Sequence, residues 1–321
     1  RVLPAGIESV LAQTFDEPVE FIVHADSSTD TSLRLIADRY AQVRLIASET
    51  NVGFCIANNR MVEQARGEFV LLLNNDAALA PDALSTLLAE ARGLHSQGIL
   101  TLPQFDWESD ALVDRGCLLD PFGNPVPNLD SQRREVATVI GACLWLPRAL
   151  WQQLGGFPPW FGSIAEDMAL CCGARLLGCP VRVTAASRYR HRQGVSFGGN
   201  RVGEQGMATT SRRRALSERN KTAVMLICYP LPGLLVLLPL HALALLAEVV
   251  FLLLSGTGSA KVRAIYAPIL PWLWQHRRDI AVLRRQLHSA GRIGTLQFFS
   301  QTTWLPHKLR MLFRHGRPQI L

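Results

Sequence analysis

Short apolar runs alternate with helical segments over the first 185 residues of the chain. Residues 20–23, 43–47 and 69–73 form strand-like runs, and Leu33 and Ile36 lie at helical spacing between the first two. Strands of a parallel sheet are buried on both faces, so their sequences are unbroken apolar runs. Apolar residues make up 48% of the chain and charged residues 18%, which excludes an intrinsically disordered chain. The alternation predicts an α/β fold with a mostly parallel sheet flanked by helices.

The second half of this region is less regular. Pro and Asp crowd residues 105–130, which predicts an irregular loop. Beyond it we expect a strand at 136–146, helices at 147–154 and 166–177, and a last strand at 181–184.

The chain divides by charge near residue 200. Residues 1–200 carry 16 Lys and Arg against 22 Asp and Glu, whereas residues 201–321 carry 17 against 4. An acidic part joined to a basic, apolar part indicates two units with different functions. We therefore predict one unit over 1–205 and a basic, helical, membrane-associating unit over 206–321.

An apolar stretch at 224–254 is the main membrane candidate. It has 31 residues, enough for one crossing but short of the roughly 40 that two crossings need. Pro230, Pro232 and Pro239 oppose an unbroken helix, and basic residues flank both ends. These features favour a re-entrant or interfacial hairpin. A single span and a buried core helix remain alternatives.

A second amphipathic segment follows. Ile280, Leu283 and Leu287 line one face of a predicted helix whose other faces carry arginines. This pattern is typical of a helix on an anionic membrane surface, and the alternative is a solvated helix packed on the first unit. The basic residues adjoin apolar runs rather than a nucleic-acid-binding fold, so we expect no nucleic-acid partner. Seven cysteines at irregular spacing, without a Cys-x-x-Cys pair, indicate reduced thiols in the cytosol.

Polar side chains follow two of the predicted strands. Asp26 comes after the run at 20–23, and Asn74, Asn75 and Asp76 come directly after the run at 69–73. Open α/β sheets bind ligands beyond the carboxyl ends of their strands, and one carboxylate with substrate phosphates can hold a divalent cation. A capped turn at Asp26 and a plain polar loop at 74–76 are the structural alternatives.

Three further titratable residues are candidates. Glu166 and Asp167 open a predicted helix, where the helix dipole favours carboxylates even without a function. The functional interpretation makes one of them a general base. His191 lies between two arginines, and a lone histidine is more often structural than a ligand.

Six segments in succession carry more information than any one of them. FIVHADSSTD, NVGFCIANN, GEFVLLLNND, GACLWLPRALWQQLGGF, AEDMALCCGARLLG and YRHRQGVS occur in this order. Together they resemble the family 2 glycosyltransferases with the GT-A fold, and they are most similar to the rhamnosyltransferase-like branch that builds bacterial surface polysaccharides. The resemblance covers about residues 1–196.

This resemblance implies an inverting transfer of a sugar from a nucleotide-sugar to an acceptor hydroxyl, with Mg²⁺ or Mn²⁺ as cofactor. By position, Asp167 matches the catalytic base of the Glu-Asp motif that Glu166 opens. Asp76 and His191 match the metal site. The residues that match the nucleotide-sugar pocket are Asp26, Asn51, Gly53, Asn59, Asn74 and Asn75.

The resemblance also suggests a setting. The donor could be dTDP-rhamnose, and the acceptor a saccharide or lipid-linked oligosaccharide. With the apolar, basic second unit, this predicts a catalytic domain at the cytoplasmic face of the inner membrane.

The sequence departs from the family pattern in several places. The first strand of the family is absent before Arg1, which suggests an N-terminally truncated domain. Ala25 and Asn74 occupy positions where the family usually has acidic residues. Ala169 occupies a position after the Glu-Asp pair where the family often has another acidic residue. The Gln-x-x-Arg-Trp signature of processive synthases gives way to Ser-Arg-Arg-Arg-Ala at 211–215, which favours one sugar per encounter. A catalytically inactive member that serves as an assembly subunit of a polysaccharide synthesis complex is the alternative function.

Overall fold

The structure is a computed structural model. It describes residues 2–95, 97–192, 199–203, 206–254, 258–316 and 319–320. Up to residue 192, strands and helices alternate as the sequence pattern predicts. The helices of this part are α1 (Val2–Leu11), α2 (Ser32–Arg39), α3 (Phe54–Gln64), α4 (Ala83–Gly93), α5 (Arg148–Leu154) and α6 (Glu166–Leu176), with a 3₁₀ turn at Pro159–Phe161.

The strands of the chain are short, as is usual where many loops converge on a site. They are β1 (Phe21–Asp26), β2 (Val43–Ser48), β3 (Phe69–Leu73), β4 (Ala77–Leu79), β5 (Ile99–Thr101), β6 (Gln104–Asp106), β7 (Leu112–Asp114), β8 (Cys117–Leu119), β9 (Pro125–Pro127), β10 (Cys143–Pro147), β11 (Val181–Val183), β12 (Tyr189–His191), β13 (Gly199–Gly203), β14 (Gly206–Thr209) and β15 (Gln319–Ile320).

The central sheet has the order β11-β5-β10-β3. Strand β11 runs parallel to β5, whereas β10 is antiparallel to both of its neighbours. Every residue of β10 is buried, because helices and loops cover both faces of the sheet. Strands β1 and β2 form a separate parallel pair. The predicted α/β class is confirmed, with β10 as the antiparallel exception in the central sheet.

A smaller sheet, β4-β12-β6-β7, lies beyond the end of β3. Its strand β12 pairs antiparallel with β4, so that His191 lies opposite Ala77. This register brings the late segment of the chain next to the loop that follows β3. The remaining strands form the hairpin β8-β9 and the sheet β13-β14-β15.

The predicted irregular loop at 105–130 was wrong, because this stretch contributes to four strands. Its Asp residues close turns between them. The Asp120 carboxylate accepts hydrogen bonds from the backbone N–H groups of Phe122 and Asn124 at 2.9 and 2.8 Å, which closes the β8-β9 hairpin. Turn residues were thus mistaken for the absence of strands, since the strands between them have only three residues each.

The C-terminal part is helical. Helix α7 (Ser211–Cys228) begins after Thr210, whose side-chain oxygen accepts from the Arg213 N–H. The others are α8 (Leu231–Leu254), α9 (Gly258–Ile265), α10 (Ile269–Gln275), α11 (Arg277–Ser289), α12 (Thr295–Phe298) and α13 (His307–His315), with a 3₁₀ turn at Phe299–Gln301. Residues 220–225 of α7 are buried, and Val224 and Met225 belong to the same apolar core as β10 and α6. The boundary at 205/206 stays a prediction, but the first helix beyond it shares the core of the residues before it.

The apolar stretch is divided between two helices: residues 224–228 end α7, and residues 231–254 form α8. Pro230 lies between the two helices and Pro232 in the first turn of α8, where a missing N–H leaves no intrahelical bond unmade. Pro239 lies inside the helix without ending it. Helix α8 has a mean hydropathy of 2.4, and only 11% of its most apolar window is buried. By length and composition it could cross a membrane, and it is the one such helix in the described part of the chain.

Helix α11 does not present its apolar face to solvent or lipid. Ile280 and Leu287 are buried in the main core, and Leu287 lies against Gly173 of α6. Arg284 donates to the carbonyl oxygens of Leu226 and Tyr229 at 2.8 and 2.9 Å, at the end of α7. The surface-bound helix predicted here was wrong, and the packed alternative is the one observed.

Candidate active site

Asp26 ends β1 and closes the loop that leads into α3. Its two carboxylate oxygens accept from the backbone N–H groups of Val52 and Gly53, at 2.6 and 2.9 Å. Gly53 has φ +84°, a left-handed conformation in which a side chain would be strained. Asp26 therefore holds the loop in which Gly53 and the exposed Asn51 lie. A role of these three residues in nucleotide binding stays a prediction.

Asn59 lies further from this loop. Its side chain pairs with the backbone of Phe157 in both directions: Nδ2 donates to the carbonyl oxygen at 2.8 Å, and Oδ1 accepts from the N–H at 3.0 Å. Asn59 thus braces α3 against the segment after α5. Its predicted part in the nucleotide pocket stays a prediction.

The loop after β3 meets β12, as the resemblance implies. Asp76 Oδ1 lies 3.1 Å from His191 Nε2, and the two side chains are 14% and 10% exposed. The Asp76 carbonyl oxygen also accepts from the Arg192 N–H at 3.0 Å. Asn74 and Asn75 precede Asp76, with Asn75 exposed to solvent. Residues 115 positions apart are therefore brought into one polar corner.

A second carboxylate behind this corner was missed in the sequence. Asp114 at the end of β7 is 3% exposed, and its Oδ1 accepts from the Gly116 N–H at 2.9 Å. Burial raises the pKa of Asp114 to about 7, although a charge on His191 opposes the rise. Because Asp114 lies in the stretch predicted to be an irregular loop, no sequence signal placed it beside His191.

The Glu166–Asp167 pair forms the first two residues of α6. Asp167 Oδ2 accepts from the Gly141 N–H at 2.9 Å, and Oδ1 from the Met168 N–H at 2.7 Å. Burial raises the pKa of Asp167, and these hydrogen bonds oppose the rise. Glu166 is 5% exposed; burial, and then the charge of Asp167, raise its pKa to about 8. Burial thus raises the pKa of both carboxyls, and the two groups titrate as a coupled pair.

The two carboxylate sites share one segment of backbone. Gly141 donates to Asp167, and the carbonyl oxygen of the next residue, Ala142, accepts from the Asn74 N–H at 3.0 Å. Asn74 is two residues from Asp76 in the sequence. Asp167 and the segment that carries Asp76 therefore contact adjacent backbone groups, at residues 141 and 142.

Arg213, in the first turn of α7, lies near the Glu166–Asp167 pair. Its charge acts on Asp167 and Glu166, and theirs on it; burial lowers the pKa of Arg213 while the two carboxylates oppose that change. The sequence showed Arg213 only as one member of a basic run. Its placement depends on how α7 packs, which no local pattern predicts.

The remaining question about the site is whether it can hold a metal ion. Among the described residues, no group of three or more His, Cys, Asp and Glu side chains is placed to hold one. Asp76 and His191 nevertheless present one carboxylate oxygen and one imidazole nitrogen to the same corner. Mg²⁺ in phosphate-handling enzymes commonly takes one or two protein ligands, and phosphates and water supply the rest. The donor set present fits a divalent ion of this kind.

Residues 1–152 match the model of the family "Glycosyl transferase family 2". This part of the chain belongs to the family 2 glycosyltransferases. The predicted fold and family are confirmed. The chain is 24% identical over 210 residues to "O-antigen biosynthesis protein RfbC" of Myxococcus xanthus, an alignment that covers 59% of this chain and 16% of that protein.

Two further comparisons agree with this assignment. The chain is 25% identical over 190 residues to "N-acetylglucosaminyl-diphospho-decaprenol L-rhamnosyltransferase" of Mycobacterium tuberculosis, which covers 50% of this chain and 62% of that protein. It thus spans less than two thirds of either curated relative. The crystal structure of GalNAc-T7 with UDP, GalNAc and Mn²⁺ is similar in fold, with a TM-score of 0.57 and 13% identity over 70% of this chain and 46% of that one.

Proposed function

We propose that this protein is an inverting glycosyltransferase that moves one sugar from a nucleotide-sugar to an acceptor hydroxyl in the synthesis of a bacterial surface polysaccharide. The observation that carries the proposal is the backbone at 141–142: Gly141 donates to the Asp167 carboxylate, and Ala142 accepts from Asn74, two residues before Asp76. The family match and the relative named for O-antigen biosynthesis support the polysaccharide setting.

In this mechanism Asp167 is the general base. Glu166, whose pKa is raised to about 8 by burial and by the charge of Asp167, keeps its proton at neutral pH in this proposal, and Asp167 acts in its charged form. Its carboxylate takes the proton of the acceptor hydroxyl, and the hydroxyl oxygen attacks the anomeric carbon from the face opposite the leaving group. The bond from that carbon to the diphosphate oxygen breaks, and the nucleoside diphosphate leaves with the electron pair.

Asp76 and His191 would hold Mg²⁺ or Mn²⁺ in this proposal. A bound divalent ion supplies charge neutralisation for a diphosphate leaving group. The GalNAc-T7 structure contains UDP with Mn²⁺, which supports a divalent ion here. Asp76→Ala should abolish both activity and its dependence on added metal. A variant that Mg²⁺ or Mn²⁺ still stimulates would contradict this assignment.

The donor that we propose first is dTDP-rhamnose, because the relative from Mycobacterium tuberculosis is named as a rhamnosyltransferase whose acceptor is linked to decaprenol. The test is a panel of nucleotide-sugars, each incubated with the protein and a bacterial lipid extract, with the Asp167→Asn variant as control. Transfer to a lipid-linked product by the wild type alone supports the proposal. Nucleotide binding without transfer from any donor would instead support the inactive assembly subunit.

We further propose that the C-terminal helices bind the cytoplasmic face of the inner membrane. The exposed face of α8 is apolar, with Leu235, Leu243 and Leu246 each more than half exposed. Helix α13 adds the exposed Leu309 and Phe313. The C-terminal segment that carries these surfaces is basic, since residues 201–321 hold 17 Lys and Arg against 4 Asp and Glu. Exposed apolar area on a basic segment favours attachment to anionic lipids.

Contacts along α8 favour a helix that lies in the membrane surface over one that crosses it. A side chain at Gly233 would collide with Phe299, so the start of α8 packs tightly on the protein. His241 Nε2 lies 2.9 Å from Thr222 Oγ1. Near the other end, Glu248 accepts from Lys308 at 2.6 Å. Fifteen helical positions from 233 to 248 extend about 22 Å, so one face of α8 follows the protein over most of its length.

Labelling of single cysteines tests this orientation. We would introduce Leu231→Cys or Leu254→Cys in a Cys179→Ser background, since Cys179 is the half-buried member of the seven free cysteines. A membrane-impermeant maleimide applied to inside-out vesicles should label both ends. Labelling of one end only, with the other end reached from the periplasmic side, would show that α8 crosses the membrane.

Vesicle flotation tests the binding surface itself. Leu243→Glu should reduce flotation with phosphatidylglycerol vesicles, because it puts a charge on the exposed face of α8. Leu129→Glu is the matched control, since Leu129 is equally exposed but lies in the loop after β9. Equal losses in the two variants would contradict the assignment of this surface.

A further inference from the structure

The loop at 161–165, directly before the Glu166–Asp167 pair, has an unusual backbone. Ile164 and Ala165 both have left-handed φ angles, +72° and +69°, and neither is glycine. Gly162 has φ +73° in the same loop. Such conformations cost free energy and persist only where the surrounding structure holds them, and they are frequent at active sites. Ala165 is the N-cap residue of α6, so this backbone sets the direction in which the helix begins.

One side chain from the C-terminal part holds this loop. Asn220 of α7 is fully buried, and its Nδ2 donates to the carbonyl oxygens of Phe161, Ser163 and Ile164 at 3.1, 2.9 and 2.7 Å. An amide has two hydrogens, so at least one of them is shared between two acceptors. Three carbonyl groups of one short loop are thus turned towards a single nitrogen.

The neighbouring residue fixes the amide in turn. Arg219 Nε donates to Asn220 Oδ1 at 3.0 Å, which defines which end of the amide faces the loop. Arg219 Nη2 also donates to the Phe161 carbonyl oxygen at 3.0 Å. The guanidinium lies 4.1 Å from the centre of the Trp272 ring. Arg219 and Asn220 together therefore act as a clamp on the loop at 161–165.

We propose that Asn220 is a positioning residue for the transfer reaction: it holds the left-handed loop that orients Asp167 towards the acceptor hydroxyl. The proposal rests on the proposed function, because it takes Asp167 as the base. The hydrogen bonds of Asn220 go to the loop and to Arg219, not to Asp167, Asp26 or Asp76. Its loss should therefore change turnover and leave donor binding nearly intact.

The control for this proposal lies on the same helix. Thr222 is also buried on α7, but its hydroxyl lies 2.9 Å from His241 Nε2 and donates to the Glu218 carbonyl oxygen. Thr222→Val removes a buried polar contact of α7 without touching the loop. Asn220→Ser keeps one donor at most for three acceptors. Arg219→Gln, at a half-buried position, removes a bond to Phe161 and serves if Asn220→Ser does not fold.

Two measurements decide the question. In Asn220→Ser, kcat should fall about 10- to 100-fold, the loss that a small displacement of a catalytic group can cause, while the donor KM stays within about twofold of the wild type. Hydrogen exchange of the peptide over 158–168 should become faster in the same variant. Arg219→Gln should show both changes to a smaller extent, and Thr222→Val neither.

Unchanged kcat in a folded Asn220→Ser protein with a faster-exchanging loop would overturn the positioning role. So would equal kcat losses in Asn220→Ser and Thr222→Val, since that would show a general loss of stability. Failure of the proposed function looks different: Asp167→Asn would then transfer as well as the wild type. The positioning role would fall with it, although the exchange data would still report the clamp.

Discussion

Two buried glutamates of this protein have opposite electrostatic fates. Glu166 and Glu218 are 5% and 2% exposed, so burial disfavours the charge of both. Glu218 lies 2.9 Å from Lys221 and 2.7 Å from Lys308. Burial alone would raise its pKa, but the two lysines bring the pKa below its ordinary value. Glu166 has another carboxylate as its neighbour, and its pKa is raised to about 8.

The pKa shifts of Glu166 and Glu218 differ because their charged neighbours differ, not because one side chain is more deeply buried than the other. Around Glu218, opposite charges of α7, α8 and α13 are matched, which fixes three helices to one another. Around Glu166, the charge of a second carboxylate, Asp167, raises the pKa further, and Arg213 opposes the rise for both carboxyls. A matched cluster holds a structure together, whereas an unmatched pair keeps a base available. Four changes test this distinction.

The largest effect is expected from Asp167→Asn. An amide cannot take the proton of the acceptor hydroxyl, so transfer should fall by about 10²–10⁴-fold, the usual contribution of a general base. Affinity for the nucleoside diphosphate, measured by calorimetry, should stay the same, because the proposal assigns the diphosphate to Asp76 and His191 rather than to Asp167. Wild-type turnover in this variant would remove Asp167 from the role of base.

Glu218→Gln should cause the largest loss of stability. It leaves Lys221 buried without its carboxylate partner, while Lys308 keeps Glu248, and removal of one partner from a buried ion pair costs about 3–5 kcal/mol. Urea unfolding measures this loss. Glu135→Gln is the control, because Glu135 pairs with Arg182 at the surface, where a pair contributes about 0–1 kcal/mol. Similar losses in the two variants would show that the cluster around Glu218 is not special.

Glu166→Gln should remove a pH dependence of stability. The folded pKa of Glu166, about 8, lies above its ordinary value of 4.5, so its contribution to stability is complete below pH 4.5 and is lost as the pH rises to about 8. The wild type should therefore lose stability relative to the variant by at most about 1.4 kcal/mol per pH unit in this window. Urea unfolding at pH 5, 6.5 and 8 measures the difference, and parallel curves would contradict the raised pKa.

The smallest effect is expected from Tyr266→Phe. The hydroxyl of Tyr266 donates to Glu248 Oε2 at 2.7 Å, at the edge of the ion cluster. Glu248 keeps its bonds to Lys308 and Arg214 in the variant. We therefore expect a loss of about 1 kcal/mol in urea unfolding, the range of a single hydrogen bond. A loss as large as that of Glu218→Gln would mean that the cluster depends on this hydroxyl.

The sequence predicted one side of this comparison better than the other. Asp76 and Asp167 were found because each follows or opens a secondary-structure element, and such positions are local properties of the chain. The strand β10 was expected at 136–146 and observed at Cys143–Pro147, since the apolar run extends beyond the paired residues. The sequence also placed His191 with Asp76, but only through the order of the family motifs.

The roles of Arg213, Asn220 and Glu218 could not be predicted in this way. These three residues lie on α7, and their roles follow from how that helix packs against α6, α8 and α13. The apolar face of α11 was wrongly predicted to contact a membrane, because the sequence pattern of a helix does not show what packs against it. An amphipathic pattern indicates that a face is covered, but it does not say whether lipid or protein covers it.

Glu218 and Asn220 are two residues apart on α7, and one belongs to the ion cluster while the other holds the loop before Asp167. Removal of the apolar C-terminal helices to make the protein more soluble would therefore also reduce its activity. A shortened version that stops before Ser211 should be less stable as well as a poor catalyst, because α7 contributes buried residues to the core around α6 and holds the loop before Asp167.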